Sequence, residues 1–159
     1  MRTLIAYMTR HGCAKKTAGM LKELLAGDTA LVDLKRDKKP DLSGYDTVVI
    51  GGSIHAGRIQ RGLRRFLDKN GEILLEKRLG LYLCCMEEGE TAVKQFEKAY
   101  PERLRIHAAA TGIFGGEFDL DRMNFIERKI VKKAAGIEES VSRIDAGTIR
   151  DFAGRISQT

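Results

Sequence analysis

Near the start of the chain stands Thr9-Arg10-His11-Gly12-Cys13-Ala14, a segment whose residue types suit the holding of a phosphate. Its glycine lets backbone N–H groups converge, and the helical spacing that follows would aim the positive end of a helix at the same point. The Thr9 and Thr17 hydroxyls and the Arg10 guanidinium could add charge-assisted hydrogen bonds. A second loop, Ser53-Ile54-His55-Ala56-Gly57, comes directly after Gly51-Gly52. So many small residues suggest close backbone approach to something flat. A third segment, Cys84-Cys85-Met86-Glu87, ends an apolar run, and Arg58, Arg61, Arg64 and Arg65 crowd the stretch after the second loop. These arginines read either as solvated surface or as a contact for an anionic substrate or partner.

Cys13 falls at an expected helix start, where a thiol pKa tends to drop. A phosphatase-type cysteine would need an arginine six residues later to clamp phosphate, and Gly19 occupies that position. Cys84 and Cys85 read as buried structural thiols. His55 and His11 are candidates for proton transfer, although a loop histidine more often serves in hydrogen bonding or packing, and a cationic His55 would favour negative charge nearby. No zinc-ligand spacing is present, so no metal is expected.

Short apolar runs alternating with amphipathic stretches predict the elements that must position these loops, a parallel sheet covered by helices on both faces. Leu4-Ile5-Ala6-Tyr7 reads as the first strand, and Ala14, Ala18, Leu21 and Leu25 as the stripe of a helix stopped by Gly27. Thr29 to Leu34 reads as strand two and Lys35 to Gly44 as a loop. Thr47-Val48-Val49-Ile50 reads as strand three, ending at Gly51-Gly52. A helix carrying Leu63, Phe66 and Leu67 follows, then a fourth strand from Leu79 to Cys85 and a helix with Ala92, Phe96 and Ala99, closed by Pro101. Ile106 to Ile113 reads as the fifth strand. Leu120 to Ala134 predicts a helix with Met123, Ile126, Ile130 and Ala134 in one stripe. A last helix carries Ile149, Phe152, Ala153 and Ile156. Five strands with right-handed crossovers make a three-layer doubly wound α/β domain, whose ligands bind beyond the carboxyl ends of the strands.

The 159 residues, 43% apolar and 31% charged with 17 Gly and 2 Pro, are those of one compact domain over 1–159. Three cysteines, two of them adjacent, make no disulfide framework and favour a reducing cytoplasm. No apolar run reaches the roughly 18 residues of a membrane span. Twenty-eight Lys plus Arg against 22 Asp plus Glu leave a net charge of +6, which attracts polyanions. With no Trp and no nucleic-acid module, the chain points away from nucleic acid and toward a small anion or an anionic surface. The helix at 120–134, with Phe125 among Arg128, Lys129, Lys132 and Lys133, could pack on the domain or lie on a lipid surface.

The threonine and glycine loop after strand one, the lead-in Leu42-Ser43-Gly44-Tyr45-Asp46, and the strand end Val49-Ile50-Gly51-Gly52-Ser53-Ile54 resemble the flavodoxin family nearly end to end. More closely, Thr9-Arg10-His11-Gly12 and Ser53-Ile54-His55-Ala56-Gly57 resemble the flavodoxin-like menaquinone-dependent protoporphyrinogen oxidases of heme biosynthesis. The resemblance implies the strand order 2-1-3-4-5 and a bound flavin mononucleotide (FMN). It assigns Thr9, Arg10, His11, Gly12, Cys13 and Ala14 to the FMN phosphate and Ser53, Ile54, His55, Ala56 and Gly57 to the isoalloxazine ring. Cys84, Cys85, Met86 and Glu87 would line the ring's other edge or face. Ala14 stands where flavodoxins usually carry threonine, a missing hydroxyl worth about 1 kcal/mol. Ile54, His55 and Met86 stand in for the usual aromatic stackers.

The implied activity is oxidoreduction, with electrons passing from a porphyrinogen-like donor through FMN to a quinone. Arg58, Arg61 and Arg64 would receive the anionic substrate, at the cytoplasmic face of a membrane. The alternative is a basic flavodoxin that carries electrons between redox proteins, although the family's carriers are usually acidic.

Overall fold

Val, Ile and Leu in unbroken runs suit strands covered on both faces. In the computed structural model, which describes residues 1–136 and 139–158, β3 (Thr47–Ser53) is buried throughout. So are all but the first residues of β1 (Arg2–Tyr7) and β4 (Arg78–Cys84). With β2 (Asp28–Asp33) and β5 (Ala110–Ile113) they form a parallel sheet in the order β2-β1-β3-β4-β5, the order anticipated. Alternation along the strands divides the core. Leu4, Ala6, Val48, Ile50, Leu81 and Leu83 face α2 (Arg61–Leu75), α3 (Gly89–Ala99) and α4 (Glu102–His107). Ile5, Tyr7, Val49 and Tyr82 face α1 (Cys13–Leu24) and the final helix, α6 (Ala146–Ser157). Among the described residues no helix is long and apolar enough to cross a membrane.

The fully buried Tyr82 fixes the start of α1. Its ring stacks on Phe114 with centroids 4.5 Å apart, and its hydroxyl donates to the Ala14 carbonyl oxygen at 2.8 Å. The ring crosses β3 at Gly51, where an added Cβ would lie 2.0 Å from Tyr82 Cζ. A Cβ on Gly52 would meet Leu63 Cδ2 at 2.6 Å. Side-chain packing on the two faces of β3, by Tyr82 of β4 on one and Leu63 of α2 on the other, therefore accounts for the Gly51-Gly52 pair without a flat ligand against them.

Strands β1 to β4 differ from the sequence reading by one to three residues at their ends, and the region around Pro101 differs more. Strand five begins at Ala110, because 102–107 continues as α4 with Ile106 at 78% exposure. Pro101 opens α4, its ring-fixed φ of −55° suiting a helix start, while α3 ends at Ala99. The largest difference lies between β5 and α6. There β6 (Glu117–Phe118) and β7 (Val141–Ser142) pair antiparallel and flank a 3-10 turn at Leu120–Arg122 and α5 (Phe125–Ala135). No residue of α5 is buried, and Phe125, Ile126 and Ile130 are 70%, 69% and 59% exposed. The foreseen stripe therefore does not pack. Its one buried member, Met123, precedes the helix.

Candidate functional site

Residues 9–14 connect the carboxyl end of β1 to α1. Gly12 adopts φ +97°, a left-handed conformation that favours glycine, and its N–H donates to Thr9 Oγ1 at 2.9 Å. That bond shapes the loop. Helix α1 begins with no side-chain cap and no acidic residue in its first turn. Its positive end is left to whatever anion the loop can hold. Thr17, expected to offer a hydroxyl, does not reach this point. It is fully buried and donates to the Cys13 carbonyl at 3.0 Å. Ala14 is likewise buried, in the core beneath the loop.

The second loop is a tight reversal. His55 and Arg58 exchange backbone hydrogen bonds of 2.8 and 3.2 Å around Ala56 and Gly57, whose φ values are +51° and +77°. Two consecutive left-handed residues make a mirror-type turn, in which glycine is at home and alanine mildly strained. Ser53 Oγ accepts from Gln60 Nε2 at 3.2 Å, and the Ile54 N–H donates to the Cys84 carbonyl, joining this loop to β4. The two loops meet through histidines, with His11 and His55 ring centroids 5.8 Å apart. Burial and then the Arg10 charge hold His55 below its usual pKa, so it is neutral at pH 7.

The third segment diverges from the other two. Cys84 and Cys85 are buried on opposite sides of the sheet, Met86 is half-buried and Glu87 exposed. The Cys84 thiol, 3.4 Å from Thr17 Oγ1, has its pKa pushed up by the neighbouring Cys13 thiol and by burial. The same thiol pair, with help from the Lys16 charge, lowers Cys13. A neighbouring thiol, ahead of any helix dipole, therefore causes the shift foreseen for Cys13. Burial pushes Cys85 up to about 11. Gly116 presses on this segment, its place for a Cβ lying 2.6 Å from the Cys85 carbonyl carbon.

Sequence reasoning missed what covers the first loop. Arg122 lies over Gly12, with Nη1 only 2.0 Å from where a Cβ would stand and 3.5 Å from the His11 carbonyl oxygen. Glu127 Oε2 accepts from Arg10 Nε at 3.2 Å and lies 2.7 Å from His11 Nε2. Lys16 Nζ pairs with Glu117 at 3.0 Å. The His11–Glu127 approach is a charge contact without hydrogen-bond alignment, and both buried ring nitrogens of His11 lack a hydrogen-bond partner. One local signal was legible. Asn124 and Glu127 form a reciprocal helix-start box, at 2.8 and 2.7 Å, which the spacing Asn-x-x-Glu announces.

His11, His55 and Glu127 bring one ligand atom each within 4.8 Å, a set that could hold a divalent metal. Arg10 shares the same carboxylate, and Arg122, paired with Asp119 at 3.3 Å, lies over the loop, so two guanidinium groups stand where an anion could exchange for their carboxylates. A phosphate monoester fits: the loop has a left-handed glycine, an uncapped helix start, two guanidinium groups and an imidazole without hydrogen bonds. Of the basic cluster, Arg58 belongs to the His55 turn. Arg61 opens α2, and Arg64 lines a groove with Asp68, Glu97 and Glu102. All three are exposed, and none forms an ion pair among the described residues.

A family model described as "Flavodoxin domain" matches residues 4–145. No curated protein matches. Among solved structures, oxidised Flavodoxin 1 from Bacillus cereus superposes with a TM-score of 0.60 at 15% identity, covering 98% of this chain and 97% of the other. The flavodoxin of Streptococcus pneumoniae TIGR4 gives 0.55 at 14%, with 98% and 97% covered. A WrbA-like flavodoxin from Agrobacterium tumefaciens gives 0.54 at 12%, with 98% and 90% covered. At such identities these likenesses speak for the fold.

Proposed function

We propose that this chain, which belongs to the flavodoxin domain family, binds FMN as a single domain over 1–159 and carries electrons between redox proteins of the cytoplasm. The observation that carries this reading is the start of α1, bare of cap and acid, with Gly12 left-handed beside Arg10 and Arg122. Thr9 holds the Gly12 N–H and keeps the loop open. Arg10 and Arg122 supply positive charge to the phosphate, His11 offers it an unpartnered ring nitrogen, and the N–H groups of Cys13 and Ala14 face it at the helix start. Ser53, Ile54, His55, Ala56 and Gly57 present turn backbone to the ring from one side, and Met86 and Glu87, beside buried Cys84 and Cys85, from the other. The flavin supplies the electron-transfer chemistry when bound. Neutral His55 acts as a hydrogen-bonding group there.

The test begins with FMN added to purified protein. Loss of flavin fluorescence and a shifted visible spectrum are expected. Gly12→Val should weaken binding at least tenfold, about 1.4 kcal/mol, since a β-branched residue is strained at φ +97° and the loop must shift to accept it. Unchanged affinity in that variant rejects the loop as the phosphate site.

A second reading is favoured by the exposed Phe125, Ile126 and Ile130 among Arg128, Lys129, Lys132 and Lys133. Here the FMN protein takes electrons from a porphyrinogen-like anion held by Arg58, Arg61 and Arg64 and passes them to a quinone. Segment 125–135 then rests against an anionic membrane surface. FMN-loaded protein mixed with protoporphyrinogen and a menaquinone analogue separates the two. Porphyrin formation supports the second reading, and flavin turnover only with a protein reductase supports the carrier.

A further inference from the structure

The first loop is already in contact with an anion belonging to the chain itself. Glu127 reaches Arg10 from 117 residues away in sequence, and the Arg10 hydrogen bond, with the nearby His11 charge, holds its carboxyl below the usual value. Its other oxygen accepts from Asn124 Nδ2 at 2.7 Å, so the carboxylate is fastened on both sides. Helix α5 has little else to hold it. None of its residues is buried, and its three large apolar side chains face solvent.

The carboxylate is also an incomplete partner, because both buried nitrogens of His11 remain without a hydrogen bond. A phosphate monoester offers three terminal oxygens and up to two charges, and it can satisfy Arg10, His11 and the start of α1 together. It cannot share that space comfortably with Glu127. Two like charges a few ångströms apart, partly shielded from water, repel each other.

We propose that Glu127 is an internal counter-anion, which the ligand's phosphate displaces, so that filling the site unfastens α5. The proposal rests on the FMN reading and adds to it a regulated element. A phosphorylated flavin frees the helix from the first loop, so that its already exposed cationic, apolar surface can move apart from the domain, whereas riboflavin, with no phosphate, leaves the latch closed.

The experiment compares wild type with Glu127→Gln, titrating each with FMN and with riboflavin by fluorescence. Amide hydrogen exchange in 125–135 is followed with and without FMN or inorganic phosphate. The variant should bind FMN at least tenfold more tightly than wild type and riboflavin equally well. Exchange in α5 should accelerate when FMN or phosphate is added to wild type and should already be fast in the variant. Equal or weaker FMN binding by the variant, or α5 amides that slow or stay unchanged on loading, overturns the latch while leaving FMN binding intact. If neither form binds FMN or phosphate, both the latch and the FMN reading fall. Zinc binding by wild type that the variant loses, with FMN affinity unmoved, would make His11, His55 and Glu127 a metal site and also overturn the latch.

Discussion

The sheet and the described part of the segment inserted between β5 and α6 are held together by different forces. Around β3 and β4 the chain is dry and close-packed, with Tyr82, Phe114 and Phe152 in mutual ring contact and Gly51 yielding the space that Tyr82 fills. The insertion is anchored by Leu120 and Met123, which are buried, and otherwise by polar contacts such as Arg10–Glu127, Lys16–Glu117 and Arg128 Nε to the Leu120 carbonyl at 3.0 Å. Packed apolar surface tolerates little rearrangement, whereas exposed ion pairs contribute little stability and can be exchanged for a ligand. The region that stabilises the fold is thus separate from the region equipped to respond to an anion.

This contrast can be broken most forcefully at Gly51. Gly51→Ala forces a Cβ against the buried Tyr82 ring and should cost about 3 kcal/mol, measured as a lower urea midpoint with an unchanged slope. A near-neutral result would mean that the sheet is more plastic than its packing implies. Acid should act selectively on the insertion. The folded-state pKa of Glu127 is depressed, so its contribution is complete above the ordinary glutamate value of 4.5 and is lost as pH falls through the lower folded value. Exchange in 125–135 should therefore rise in that window before the sheet amides respond, and simultaneous loss would erase the distinction. The smallest effect belongs to α5 itself: Ile130→Ser, at an exposed position, should leave global stability within about 0.5 kcal/mol. A larger loss would show that α5 packs on the domain in solution.

Much of the fold was legible because strands β1, β3 and β4 announce themselves as unbroken apolar runs, and α6 as the stripe Ile149, Phe152, Ala153, Ile156. Strand five was read too long, since Ile106 is apolar yet sits at the exposed end of a short helix, where local pattern gives no warning. The first loop was legible too, from Thr9, Gly12 and the helix that follows. Its roof was not. A stripe of Met123, Ile126 and Ile130 looks like a packing face whether or not a partner exists to cover it.

Residue order alone determined the alternating strands and helices, the sheet's buried character and the phosphate-suited turn at 9–14, because each follows from near-neighbour periodicity and backbone preference. Only the tertiary structure decided that Gly51 makes way for Tyr82, that Thr17 turns inward, and that Glu127 lies against Arg10 and His11. Those outcomes depend on sterics across a sheet and charges brought together over more than a hundred residues, and no local pattern encodes them.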